Sequence, residues 1–225
     1  MEKTVTRRTS LVALGGLLAG ALGWKADSAE SAGVGPAAVA SGAVACVLTP
    51  ELTEGPYYVP GEKVRSNITE GRPGAKLALA LTVVDASTCK PIKGATVDIW
   101  HADALGVYSG VQGNKGTFMR GIQPTNANGV AHFATVYPGW YQGRTVHIHV
   151  KVHLGGTVVH TGQLFFSDVL TDAVYTKTPY STRGARTTRN ANDSIYVNGG
   201  SRSMLTVKKA ATGYTGAVVM GVHRS

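Results

Sequence analysis

Thr145-Val146-His147-Ile148-His149-Val150-Lys151-Val152-His153-Leu154 runs into Gly155-Gly156 and then into Thr157-Val158-Val159-His160-Thr161-Gly162-Gln163-Leu164-Phe165-Phe166. Successive side chains of an extended strand point to opposite faces. Val146, Ile148, Val150 and Val152 therefore share one face, and His147, His149, Lys151 and His153 share the other. The apolar set belongs against a core, and the polar set faces a cavity or solvent. The Gly-Gly pair tolerates the left-handed backbone that a tight turn demands, so the two runs are predicted to form a β-hairpin.

Working outward, Leu77–Val84 reads as a buried strand, Asp85–Gly94 as a turn, and Ala95–His101 as the partner strand. Phe118–Gln123 and Val130–Val136 flank Asn126-Ala127-Asn128-Gly129, whose Asn-Gly predicts a second hairpin. Leu205–Lys209 and Ala217–Val222 read as a closing pair. The mature part contains no amphipathic helix of ten residues. Short strands at close spacing, 29 glycines and only 16% charged residues predict an all-β fold, an antiparallel β-sandwich with long loops and no large helical domain.

The first forty residues differ from the rest. Arg7-Arg8 precedes the glycine-diluted apolar run Leu11–Trp24. This predicts a twin-arginine export signal followed by a linker over residues 1–40, with the β-sandwich catalytic domain over 41–225. The run is shorter than the roughly 20 residues of a spanning helix, so no stable membrane span is expected in the mature form. The expected partner is the twin-arginine export machinery, and the expected location is extracellular or in the periplasm or cell envelope. Ala38-Val39-Ala40 and Ala43-Val44-Ala45 both offer cleavage sites.

The two cysteines, Cys46 and Cys89, suit one disulfide in an exported chain. Two inert thiols, or lipidation of Cys46 after the loosely lipobox-like Ala43-Val44-Ala45, are the alternatives. The net charge of +9 is spread along the chain. No basic cluster of the kind that grips nucleic acid is present, and no nucleic-acid partner is expected.

The chemistry is concentrated in the histidine strand. Residues two apart on one face place the imidazoles of His147 and His149 side by side, close enough to share a metal ion. Tyr137-Pro138-Gly139-Trp140-Tyr141 feeds a turn-rich loop into that strand, and Thr53-Glu54-Gly55-Pro56-Tyr57-Tyr58 supplies a second tyrosine anchored by Gly and Pro. Two phenolates with two imidazoles favour a hard, trivalent ion, Fe(III) over Zn(II) or Cu(I).

These segments, in this order, resemble the intradiol ring-cleavage dioxygenases. Glu54-Gly55-Pro56-Tyr57-Tyr58 is similar to the family's Glu-Gly-Pro-x-Tyr. Ala95–Asp103 with Gly106-Val107-Tyr108-Ser109, Phe118-Met119-Arg120-Gly121 with Pro138–Tyr141, and Arg144–His149 are similar to its later blocks. The resemblance spans about residues 48–170 and is nearest the exported branch. It implies one Fe(III) per chain held by Tyr58, Tyr141, His147 and His149, with Tyr57 as the spacer. It implies that Arg144 and Gln163 act at the substrate, and that Tyr141 leaves the iron to take a substrate proton. A catechol-type substrate and O2 would yield a cis,cis-muconate-type diacid. The chain departs from the family at Thr145-Val146, where cytosolic members have Pro-Ala. The N-terminal helical dimerisation segment of catechol 1,2-dioxygenases is not expected here, and neither is their dimer. His101, His132, His153, His160 and His223 are not expected to be ligands. The rival readings are a non-catalytic transthyretin-like or carbohydrate-binding module, and a copper or zinc enzyme using His147 and His149 alone.

Overall fold

In the computed structural model, Cys46 and residues 48–224 are described; the export signal and linker expected over residues 1–40 lie outside the described residues. Eight strands form two four-stranded sheets. The strands are β1 (Lys76–Asp85), β2 (Thr96–Trp100), β3 (Arg120–Pro124), β4 (Val130–Val136), β5 (His147–Leu154), β6 (Thr157–Phe165), β7 (Thr206–Ala210) and β8 (Gly213–Val222). One sheet has the order β4-β1-β8-β7 and the other β3-β2-β5-β6. Among the described residues there are two short α-helices, α1 (Asp168–Tyr175) and α2 (Ser194–Val197). The expected all-β sandwich with long loops is the observed architecture.

The core forms where the two sheets meet. Leu77, Leu79, Leu81 and Val83 from β1 pack with Val97 and Ile99 from β2 and with Val146, Ile148, Val150 and Val152 at β5. Burying each such side chain contributes about 1.5–3 kcal/mol. The alternation read for β5 therefore holds on its apolar side. On its other side His147, His149 and Lys151 are also buried, because the loops of residues 49–62 and 101–119 and the chain after β6 cover that face.

The β5–β6 hairpin forms as predicted, with Gly155 and Gly156 both at positive φ. The β7–β8 pair also forms, though β8 begins at Gly213, ahead of the expected Ala217. Two expected pairings are corrected. Ala95–His101 does not pair with β1. Its strand β2 lies between β3 and β5, while β1 pairs with β4 and β8. Strands β3 and β4 do not form a hairpin. The Asn126–Gly129 turn closes on itself through Asn126 Oδ1, which accepts from the Asn128 and Val130 amides, and so can carry the chain from one sheet to the other. Gly129, at φ 73°, lets that turn sit against β1, since a Cβ there would lie 2.7 Å from the Val83 carbonyl. Within the otherwise antiparallel sandwich, β1 and β8 run parallel.

Cys46 and Cys89 are joined as a disulfide, with Cα atoms 5.4 Å apart. This fixes the start of the described chain to the β1–β2 connection and uses the thiol that lipidation would need.

Candidate metal centre

Strand β5 carries His147 and His149 on the face away from the core, and their Nε2 atoms lie 3.1 Å apart. The Tyr141 hydroxyl is 3.2 Å from His147 Nε2. Tyr141 arrives on the Tyr137–Arg144 loop. Gly139 lets that loop lie on the chain below it, since a Cβ there would be 2.4 Å from the Ala104 carbonyl. His147 Nδ1 is 2.6 Å from the Thr145 carbonyl. A carbonyl only accepts, so Nδ1 carries the proton and Nε2 keeps its lone pair.

Burial and then the nearby Arg144 charge push His147 down to about 3. Burial, then His147 and Arg144, hold His149 well below the usual histidine range. Both rings are thus neutral donors. Burial raises Tyr141 above its ordinary phenol value, a shift that a bound multivalent cation opposes by favouring the phenolate.

This donor set fits a transition-metal ion. Imidazole nitrogens bind such ions at about 2.0–2.1 Å, which puts two on adjacent positions about 3.0–3.4 Å apart. The observed 3.1 Å falls in that range. His149 is further held by Trp100, whose ring stacks on it at 4.9 Å with an interplanar angle of 6°. Gly55, at φ 71°, brings the Gly-Pro turn over the same imidazole, where a Cβ would approach His149 Cε1 to 3.1 Å.

Arg144 and Gln163 join this centre. Arg144 Nη1 is 3.4 Å from His147 Nε2, and Nη2 donates to Gln163 Oε1 at 2.5 Å. Gln163 Nε2 donates to the Thr53 carbonyl at 2.9 Å, tying β6 to the loop that carries Tyr57 and Tyr58.

Tyr58 sits one ring away from the histidines. Its ring packs on Trp100 at 4.8 Å, and the Lys151 ammonium lies 3.7 Å above it. Lys151 is itself ion-paired with Glu54. Burial, then the nearby Asp98 carboxylate, pushes Tyr58 up to about 12. No hydrogen bond among the described residues links Tyr58 to Tyr141, His147 or His149. Tyr57 lies 6.2 Å, ring to ring, from Tyr141 and 4.7 Å from Tyr108, and its hydroxyl accepts from Gln112.

The histidines not expected to bind metal are engaged elsewhere or lie at the surface. Both nitrogens of His101 are occupied, by the Ala102 carbonyl and Thr135 Oγ1, each at 2.8 Å. His160 pairs with Glu51, His132 and His223 are exposed, and His153 is half-buried beyond the site. Sequence reasoning missed Tyr108, Asp98 and Asp193. Tyr108 is buried with its ring 4.7 Å from Tyr57, 5.6 Å from Tyr141 and 6.1 Å from His149, and the buried Asp98 lies beside Tyr58. Asp193 accepts from Arg144 Nε at 2.8 Å. Asp193 precedes Ser194-Ile195-Tyr196-Val197 as an N-cap residue does, and that was its one visible signal.

A family model described as Dioxygenase (Dioxygenase_C) matches residues 53–176, more than half of the 225-residue chain. Catechol 1,2-dioxygenase 1 of Acinetobacter lwoffii is 34% identical over 101 residues, covering 41% of this chain and 32% of that protein. The chain spans between about a third and a half of the length of the curated relatives it matches. Among solved structures, the intradiol ring-cleavage dioxygenase from Tetranychus urticae superposes with a TM-score of 0.76 at 37% identity, over 79% of this chain and 95% of that one. The dioxygenase domain of a dioxygenase–carbohydrate-binding fusion from Streptomyces sp. SirexAA-E gives a TM-score of 0.63 at 31% identity, over 79% and 99% of the two chains.

Proposed function

Because this chain belongs to the intradiol ring-cleavage dioxygenase family, we propose that it is an Fe(III) enzyme that opens a catechol-type ring between its two hydroxyl-bearing carbons. Both atoms of O2 enter the product, a cis,cis-muconate-type diacid. One observation carries the reading: the Tyr141 hydroxyl and His149 Nε2 lie 3.2 and 3.1 Å from His147 Nε2, beside the guanidinium of Arg144.

Tyr141, His147 and His149 would hold the iron, with Tyr108 as the fourth donor, since its ring is 5.6 Å from Tyr141 and 6.1 Å from His149. Tyr58, the donor that the Glu-Gly-Pro-x-Tyr motif suggested, packs on Trp100 and turns toward Asp98 instead. Bound Fe(III) supplies Lewis acidity and a template for the two catechol oxygens. The Tyr141 phenolate oxygen accepts a proton from the catechol as the substrate docks. Arg144, always charged, faces the negative charge that develops on the ring-derived oxygens. Gln163 holds the Arg144 fork by accepting from Nη2. Trp100 and Tyr108, both buried, keep water from the histidine side.

The proposal includes export. The twin-arginine leader over residues 1–40 suits a protein that folds and takes up metal before crossing the membrane. N-terminal sequencing of the secreted form tests this, with cleavage near Ala40 or Ala45 expected and an intact Met1 counting against it.

Oxygen uptake on a panel of catechol, hydroxyquinol, protocatechuate and lignin-derived catechols tests the activity. At least one should drive stoichiometric O2 consumption. A red-brown protein that consumes no O2 with any of them would refute the catechol reading, and a zinc-loaded, colourless protein with full activity would refute the iron.

A further inference from the structure

Asp193 is 1% exposed, yet four donors converge on its carboxylate. Oδ2 accepts from Arg144 Nε at 2.8 Å and from the Thr145 amide at 2.7 Å. Oδ1 accepts from the amides of Ile195 at 2.9 Å and Tyr196 at 3.0 Å. Three residues earlier, Asn190 Oδ1 accepts from Thr145 Oγ1 at 2.6 Å, and Asn190 Nδ2 donates to the Phe166 carbonyl at 2.9 Å. The segment 190–193, which follows β6 and α1 in the chain, thus grips the two residues that open the histidine strand.

The geometry points to Asp193 as the positioning residue for Arg144, with Thr145 as the feature of this chain that makes the grip possible. A guanidinium is planar and presents its donors in a fixed fork. Here the Nε edge is held by Asp193 and Nη2 by Gln163, so both anchors set the plane of Arg144 and leave Nη1 beside His147. Where the cytosolic members of the family place proline after this arginine, their backbone has no amide hydrogen to donate there. Thr145 restores that donor and adds a hydroxyl, and Asp193 and Asn190 accept from both. Hydrogen bonds to the side chains of a distant loop take the place of a proline ring in fixing strand entry.

This assignment rests on the ring-cleavage reading, and the test separates the two. Asp193→Ser keeps an oxygen that can cap α2, since serine is a strong N-cap residue, but is too short to hold the guanidinium. Asp193→Asn is the isosteric second variant, should serine not fold. Each is made in the wild-type protein and in Arg144→Ala. Two quantities are read on the iron-loaded protein: catechol affinity under argon, from the charge-transfer absorbance, and kcat in air. If Asp193 acts through Arg144, its loss weakens affinity or kcat about tenfold in the wild-type background and by less than about twofold once Arg144 is gone. Equal factors in both backgrounds, or wild-type behaviour with only a lower melting temperature, overturn the assignment. Wild-type protein that binds no catechol contradicts the proposed function itself, and this assignment with it.

Discussion

His147 and His149 meet through their Nε2 atoms, 3.1 Å apart and buried. His147 spends its proton on the Thr145 carbonyl, so its Nε2 lone pair needs a proton or a cation opposite it. A shared metal ion meets that need for both rings. His147→Ala and His149→Ala are each expected to purify with most of the iron lost, measured by elemental analysis. Iron retained at the wild-type level in both would remove the pair from the metal site.

The two neighbouring tyrosines make a sharper distinction. Tyr141 already lies within 3.2 Å of His147 Nε2, whereas Tyr58 packs on Trp100 and Tyr57 faces Tyr108 and Tyr141. Tyr108, by contrast, has its ring against both Tyr141 and His149, so Tyr108→Phe and Tyr141→Phe should each shift the visible charge-transfer band, and Tyr57→Phe and Tyr58→Phe should leave it nearly unchanged. A band altered by Tyr58→Phe and indifferent to Tyr108→Phe would return the fourth ligand to the Glu-Gly-Pro-x-Tyr motif.

Arg144 acts on the substrate and not on the metal in this account. Arg144→Ala should therefore keep iron and colour while kcat/KM falls by about tenfold or more. Arg144→Lys should recover only part of the loss, because an ammonium cannot span Asp193 and Gln163 as the fork does. Normal turnover in Arg144→Ala would leave the arginine as a strand-entry anchor alone.

The disulfide closes a loop with a sequence separation of 43. By chain-entropy arguments such a crosslink stabilises by about 4 kcal/mol. The double variant Cys46→Ser/Cys89→Ser should have a clearly lower urea midpoint with its iron spectrum unchanged. An unchanged midpoint would show that the crosslink contributes nothing to stability.

His101 gives a pH dependence with a definite sign. Burial lowers it from 6.5 to about 4, so between those values the unfolded chain binds a proton that the folded chain does not. Stability from this group is complete above pH 6.5 and declines as pH falls toward 4. In urea melts, wild-type protein should lose more stability over that window than His101→Gln does. Parallel pH profiles for the two proteins would count against the assignment.

Much of this was legible in the sequence because it depends on local pattern. Alternation through Val146 to Val152 placed the histidines on one face, and Gly155-Gly156 closed the β5–β6 hairpin. What the sequence hid was non-local. Nothing in Ala95–His101 says that it pairs with β5 rather than β1, and nothing in Asn126–Gly129 says that the turn crosses between sheets. The burial of the polar face of β5 likewise depends on loops distant in sequence. Asp193 lies 49 residues from Arg144, in a stretch without periodicity, so only the folded chain brings the two together.

The most direct test of the account is ring cleavage of its best catechol substrate under 18O2, with the product read by mass spectrometry. The account predicts one cis,cis-muconate-type diacid carrying label from both atoms of O2, formed by iron-loaded protein and abolished in His149→Ala. A product cleaved outside the two hydroxyl-bearing carbons, or no ring-opened product from any catechol, would contradict it.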